Sequence, residues 1–290
     1  MQRTVVSSPQ TRALFPAIDF VLFRQGKEPQ VKELLQRYGA FRIRNHGLSS
    51  QVKESCFGFA KGFFNQPTER KRNVSSFSGF ECETVRGSRI PKESLYVSRT
   101  ELERYPPVSL LYKEMMDQFM PELLESLSQA LDLRFSLQHY HKSGDDTIAL
   151  HHYPMVEGVE RNPAHQDFGL LTLLIQEDAG TTSGLEIADL QSTDKKGSSS
   201  IGASARFVPV EPGENEITVF VGNMLPKLAR TNQCDAVLRS CVHRVASGDR
   251  ERYSIACFVH ADSMTILDEK GITARGHLEN WISRSQAQGH

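Results

Sequence analysis

Apolar positions along the chain fall into two textures. Before about residue 135 the spacing is mostly helical. VKELLQRYG runs into a glycine stop, and QVKESCFGFAKGFFNQP places apolar residues at helical spacing until Pro67 ends the pattern. Leu110, Leu111, Met115, Phe119, Leu123, Leu124, Leu127 and Leu131 predict a long helix over residues 106–133, packed on a core. Two extended runs interrupt this region. FPAIDF (15–20) is short and apolar, and YGAFRIRNHG (38–47) alternates before a turn-forming Asn-His-Gly.

From about residue 147 the runs shorten. TIALHHYP, GLLTLLIQE, GLEIADL, ARFVPVEP, EITVFVGNM, VHRVASG and RYSIACFVH are strand-length segments separated by Gly, Pro, Ser, Asp and Asn. Their near-regular spacing predicts a β-sandwich or barrel. QSTDKKGSSSIGAS (191–204), rich in Gly and Ser, reads as a surface insertion. No repeat of solenoid or propeller length is visible. The expected division is a helical or mixed N-terminal region, residues 1–135, and a β-rich core with a C-terminal helix, residues 136–290, together forming one compact unit. The fold class is thus β-rich α+β.

Composition narrows the functional classes. Lys plus Arg is 34 and Asp plus Glu 35, a net charge of -1 that argues against a nucleic-acid partner. Hydrophobic residues make up 39% of the 290, enough for a large core, yet no stretch is apolar enough to span a bilayer. The opening MQRTVVSSPQTR lacks the apolar segment of a secretory signal. Five scattered cysteines (Cys56, Cys82, Cys234, Cys241, Cys257) are expected to be free thiols in a reducing compartment, most simply the cytoplasm.

Candidate chemistry starts at His165 and Asp167 in PAHQDFGLLTLL. On an extended segment these two side chains share a face about 6–7 Å apart and can converge on one ion. His243, in SCVHRV on another predicted strand, is the best third ligand. Two histidines and one carboxylate leave coordination positions open, the pattern of non-haem Fe(II) oxygenases rather than of closed zinc sites. Downstream, Arg252 and Ser254 in RYSIACF share a strand face and offer a guanidinium and a hydroxyl to a carboxylate. The remaining histidines read as ordinary positions. His139, His141, His151 and His152 are expected at surface and strand sites, with His151 the one to line a cavity; His46 reads as a turn residue and His260 as core or rim. Lys92 is expected to be solvated and Tyr96 to pack, the alternative being that both reach a substrate chamber; Trp281 is expected to fasten a C-terminal helix to the body, the alternative being that this helix lids the site.

Taken together, FPAIDF, YGAFRIRNHGL, AKGFFNQPTERKRN, SGF, KESLYVS, HHYP, HQDFGLLTLLIQE, GLEI, VGNML, VHRV and RYSIACF resemble, in order and spacing, the 2-oxoglutarate- and Fe(II)-dependent dioxygenases. The likeness is to their isopenicillin N synthase-like branch and covers nearly the whole chain. It implies a double-stranded β-helix (jelly-roll) core supported by N-terminal helices. It also implies Fe(II) on His165, Asp167 and His243, with 2-oxoglutarate on Arg252 and Ser254 and a further contact from Tyr153. His151 departs from the family's usual Asn, and Asn223 from a common Asp. The segment before His243 is longer than usual. The implied activity couples oxidative decarboxylation of 2-oxoglutarate to O2-dependent oxidation of a small organic molecule in specialised-metabolite biosynthesis, with ascorbate as an accessory reductant. Alternatives are a same-fold iron oxidase that does not use 2-oxoglutarate, an inactive small-molecule binder, and a zinc hydrolase on the same ligands.

Overall fold

A computed structural model describes residues 15–72, 80–85, 88–143, 145–177, 184–191, 205–211, 213–235 and 237–287. Of the expected insertion at 191–204, residues 192–204 lie outside them.

Two sheets carry the architecture. The larger contains β1 (Ala17–Asp19), β2 (Ala40–Arg44), β3 (Phe80–Val85), β4 (Ser88–Ser98), β5 (Thr147–Tyr153), β7 (Leu171–Gln176), β10 (Ile217–Val221) and β12 (Arg252–Val259). Its strand order is β1-β2-β10-β7-β12-β5-β4-β3. The smaller contains β6 (Asn162–His165), β8 (Leu185–Ala188), β9 (Phe207–Pro209) and β11 (His243–Val245), in the order β6-β11-β8-β9. Strands β5 to β12 therefore divide four and four between the sheets, the jelly-roll core that the resemblance implies. Side chains from both sheets, such as Ile187 and Val219, share one buried cluster.

The N-terminal region extends the larger sheet on both edges. β1 lies parallel to β2, which pairs with β10, while β4 pairs with β5 and carries β3 outside it. The β4 strand escapes the periodicity because its alternation is inverted: Leu95 and Val97 bury on one face, and Lys92 and Ser94 bury on the other. Hydrophobic pattern registers only the first of these faces.

Helices cover the outer surface. α1 (Phe20–Phe23) is a single turn, and α2 (Gln30–Tyr38) buries Val31, Leu34, Leu35 and Tyr38. Gly39 ends α2 at φ 65°, and a Cβ there would stand 2.6 Å from the carbonyl oxygen of Arg239. Only glycine accommodates both demands. α3 (Ser50–Phe64) is capped by Ser49 and packs on β5 and β12. The short α4 (Thr68–Arg72) follows it. The predicted long helix is divided. α5 (Pro106–Glu114) passes through one π turn at Met115–Phe119 into α6 (Met120–Ala130). Pro121 explains the widening, since it lacks an N–H and its ring crowds the carbonyl four residues back. After the barrel strands come α7 (Met224–Thr231) and α8 (Ala274–Ala287). No helix of the described residues is long and apolar enough to cross a membrane.

Cys56, Cys241 and Cys257 are buried free thiols and Cys234 is half-buried. Burial pushes the Cys56 thiol up to about 12. His46 does more than turn the chain. Its Nε2–H donates to the Asn215 carbonyl at 2.8 Å and its Nδ1 accepts from the Leu48 N–H at 3.1 Å. That arrangement requires the neutral ring, and burial, aided by Lys53, lowers its pKa to about 4. An unfolded chain would protonate His46 near 6.5, so its contribution is intact above that pH and is lost as pH falls toward 4. Urea unfolding should therefore lose up to about 3 kcal/mol from this group across that window. His46→Gln should be less stable than the parent at pH 7.5 but show a shallower decline below 6.5.

Candidate metal centre and its cationic wall

His165 ends β6 and His243 begins β11, and the antiparallel register sets them directly opposite one another. Their rings lie 4.2 Å apart, centroid to centroid. Asp167 follows two residues after His165 and reaches between the rings. Its Oδ1 is 3.9 Å from His165 Nε2, and its Oδ2 is 3.8 Å from His243 Nε2. These separations are too long for hydrogen bonds. They suit donors that each reach one shared ion at about 2.1 Å, which stand roughly 3–4 Å from one another. One donor atom from each residue lies within 4.8 Å of the others, the one such cluster among the described residues.

Surrounding groups orient each donor. His165 Nδ1 donates to the Pro163 carbonyl at 2.8 Å, leaving Nε2 as the lone-pair nitrogen. The Thr172 hydroxyl donates to Asp167 Oδ2 at 2.7 Å, and the Asn223 N–H holds the Asp167 carbonyl at 2.8 Å. His243 stacks on Phe220 at 4.5 Å and 24°. Burial, with His165 beside it, keeps the His243 pKa down at about 3, so its ring is a neutral donor. The donor set, with the His165 tautomer fixed and the His243 ring neutral, thus fits a divalent metal.

A second polar group lies on the inner face of the larger sheet. β12 runs between β5 and β7, with Arg252 opposite Tyr153 and Ser254 opposite both His151 and Gln176. Arg252 Nη1 donates to Ser254 Oγ at 2.9 Å and Nη2 to Gln176 Oε1 at 3.1 Å, while the buried Nε has no partner. The guanidinium lies 4.7 Å from the Tyr153 ring centre. It is only 7% exposed, and no carboxylate of the described residues pairs with it. A cation desolvated to this degree is stabilised by an incoming anion, and its planar fork matches a carboxylate. Burial lowers its pKa accordingly.

Lys92 is buried in this wall, its ammonium 6.0 Å from the same Tyr153 ring, which corrects the expectation of a solvated side chain. Strand β4 turns it inward, on the face it shares with Ser94. His151 lines the interior as expected. Its Nδ1 meets Ser94 Oγ at 2.8 Å, and Tyr96 presents its ring edge-on to it. Burial first, then Lys92, Arg252 and His165, hold His151 neutral. The other histidines stand apart. His152 faces outward to Glu93 and stacks on Tyr253, and His141 pairs with Asp146. His260 bonds the Asp145 carbonyl and stacks on Phe168.

Thr172, Gln176 and Phe220 belong to the site and are not singled out by the sequence. Gln176 leaves a faint signal as the polar end of LTLLIQ, whereas Thr172 and Phe220 sit in wholly buried strands with no alternation to mark their faces. Removing the Thr172 hydroxyl strands one buried Asp167 oxygen. Thr172→Val should weaken Fe(II) binding about 10- to 100-fold, read by anaerobic titration, with little change in fold by circular dichroism.

Comparison with known proteins agrees with this geometry. Residues 144–261 match the family described as the 2OG-Fe(II) oxygenase superfamily, and residues 15–109 match the non-haem dioxygenase in morphine synthesis N-terminal region. A 2-oxoglutarate-dependent dioxygenase, frbA, of Dothideomycetidae sp. is 27% identical, over 87% of each chain. The 2-oxoglutarate-dependent dioxygenase 21 of Oryza sativa is 28% identical, over 78% of this chain and 68% of its own. A full-length Neurospora crassa protein, solved in complex with alpha-KG, superposes with TM-score 0.74 at 20% identity, covering 93% and 96% of the two chains. Both halves of the chain therefore lead to one conclusion: it belongs to the 2OG-Fe(II) oxygenase superfamily, the iron- and 2-oxoglutarate-dependent dioxygenases.

Proposed function

We propose that His165, Asp167 and His243 hold Fe(II), that Arg252 and Ser254 bind the distal carboxylate of 2-oxoglutarate, and that Tyr153 packs beside that carboxylate. The observation carrying this reading is a pair of features on the two sheets that share one core: three convergent donors at β6 and β11 of the smaller sheet, and an unneutralised guanidinium on β12 of the larger. With the keto acid bound, the iron supplies the oxidising chemistry, in which 2-oxoglutarate and O2 become succinate and CO2 while one oxygen equivalent oxidises the organic substrate. The chain's own residues bind and orient. Arg252 offers Nε and its fork to the carboxylate, Ser254 and Gln176 keep the guanidinium plane fixed, and the Tyr153 ring covers it. Thr172 holds one Asp167 oxygen, so that the carboxylate keeps its orientation toward the ion. Leu174 and Phe220 on the neighbouring strands are buried apolar neighbours that limit water beside the site.

The substrate in this reading is a small organic molecule of specialised metabolism. The related fungal protein frbA carries the name of a 2-oxoglutarate-dependent dioxygenase. JOX2, similar in fold at TM-score 0.75 and 17% identity, is described in complex with 2OG, Fe and JA. Nucleic acid is not a partner in this reading, because the net charge of -1 leaves no basic excess. Reduced cysteines favour a cytoplasmic setting, and ascorbate is an accessory reductant. Residues 1–135 and 136–290 act as one unit, supported by the sheet they share.

The test is anaerobic. Protein, Fe(II) and 2-oxoglutarate should develop the weak visible charge-transfer band of an iron-chelated keto acid. Arg252→Ala should retain metal binding but raise the 2-oxoglutarate Kd roughly 30- to 1,000-fold, the consequence of removing one partner of a buried charged contact. His165→Ala and Asp167→Ala should abolish both band and succinate release. Tight iron binding without a band would instead favour the oxidase that does not use 2-oxoglutarate.

A further inference from the structure

Trp281 is the only tryptophan of the chain and lies on α8, 42% exposed. Its ring stands 5.0 Å from that of Phe168 at 35°, and Phe168 in turn stacks on His260 at 4.9 Å and 19°. Phe168 immediately follows Asp167. The inner side of this three-ring stack is rigid, because His260 is tied by Nδ1 to the Asp145 carbonyl at 2.7 Å and by its N–H to Asp146 at 3.2 Å. The outer side is the C-terminal helix. Its first turn is fastened to the body by the Ala274 and Arg275 N–H groups, which donate to the Thr265 and Ser263 carbonyls at 2.8 and 3.0 Å.

The loop between them has little freedom of its own. The Asn223 N–H holds the Asp167 carbonyl at 2.8 Å, and the Met224 N–H holds that of Gly169 at 2.9 Å. Gly169 is packed so closely that a Cβ would stand 2.6 Å from the Val259 carbonyl oxygen. Backbone contacts therefore fix the carbonyls of 167 and 169, while the Phe168 side chain between them, packed at the edge of the core, takes its ring contacts from His260 and Trp281. Displacing Phe168 would strain the hydrogen bond that holds the 167–168 peptide, and with it the orientation of the Asp167 side chain.

We propose that Trp281 is a positioning residue for the metal centre, holding Phe168 and through it the Asp167 carboxylate, so that metal binding and docking of the C-terminal helix are coupled. This rests on the metal role proposed for Asp167. Thermodynamic linkage makes the coupling reciprocal: a stack that tightens metal binding is itself tightened by the metal.

Both directions are measurable on the full chain. Zn(II), closed-shell and without visible absorption, serves as the probe metal, and competition with a chromophoric chelator gives its Kd. Trp281→Ala should bind Zn(II) about 3- to 10-fold more weakly, the scale of one lost aromatic contact, while Trp281→Phe should restore most of the affinity. In the unaltered protein, Zn(II) should reduce acrylamide quenching of the single tryptophan, a readout that stands even if Trp281→Ala fails to fold. Equal Zn(II) affinity in the alanine variant, or quenching indifferent to the metal, would overturn the coupling and leave the metal reading intact. Failure of the unaltered protein to bind either Zn(II) or Fe(II) would remove both.

Discussion

The pairing of His243 against His165 across β11 and β6 is the contact on which the rest of the site depends. Antiparallel register brings two imidazoles from distant parts of the chain into ring contact, and Asp167 needs only the two residues after His165 to reach them. A slip of one residue would turn either ring to the opposite face, because side chains alternate along a strand. Several contacts pin the register. β11 is bordered on its other side by β8, where Arg244 meets Glu186 at 2.6 Å. Arg161, just before β6, donates to the Ala246 carbonyl at 2.9 Å, just beyond β11. Phe220 then backs the His243 ring from the opposite sheet.

The larger sheet solves a different problem. Its inner face carries Lys92, His151, Arg252, Ser254 and Gln176, all buried. Burying such groups is costly unless each finds a partner. The strand order supplies partners sideways: Ser94 to His151 across β4 and β5, and Ser254 and Gln176 to Arg252 around β12. Arg252 Nε is the group left over. The opposite face of the same strands is handled by helix α3. Phe64 contacts both His152 and Tyr253, so adjacent residues of β5 and β12 serve cavity and core in turn.

Peripheral elements connect to this interior through strand ladders and a few specific side-chain contacts. The N-terminal strands extend the larger sheet, and His46, bonded to Asn215 just before β10, ties the turn after β2 to the barrel. At the other end of the chain the Trp281–Phe168–His260 stack joins the last helix to the residue beside Asp167. The candidate metal centre on the jelly roll is thereby linked to helices that contribute none of its donors.

The sequence by itself determined the β-rich class and the positions of most elements, and it singled out the five polar residues His165, Asp167, His243, Arg252 and Ser254 as candidates. Their spacing is local: His-x-Asp and Arg-x-Ser each place two groups on one strand face, and a periodicity of two is legible without any partner strand. What only the tertiary structure decided is which distant residues complete them. Thr172, Gln176 and Phe220 lie in strands buried on both faces, where apolar pattern is continuous and carries no facing information. Lys92 reads as solvated because its strand shows cations and hydroxyls toward a buried wall, an inversion that composition cannot distinguish from a surface. The π turn before Pro121 and the seat of Trp281 on Phe168 likewise depend on three-dimensional packing. Local periodicity fixes which face a residue occupies, but register and sheet order decide what that face meets.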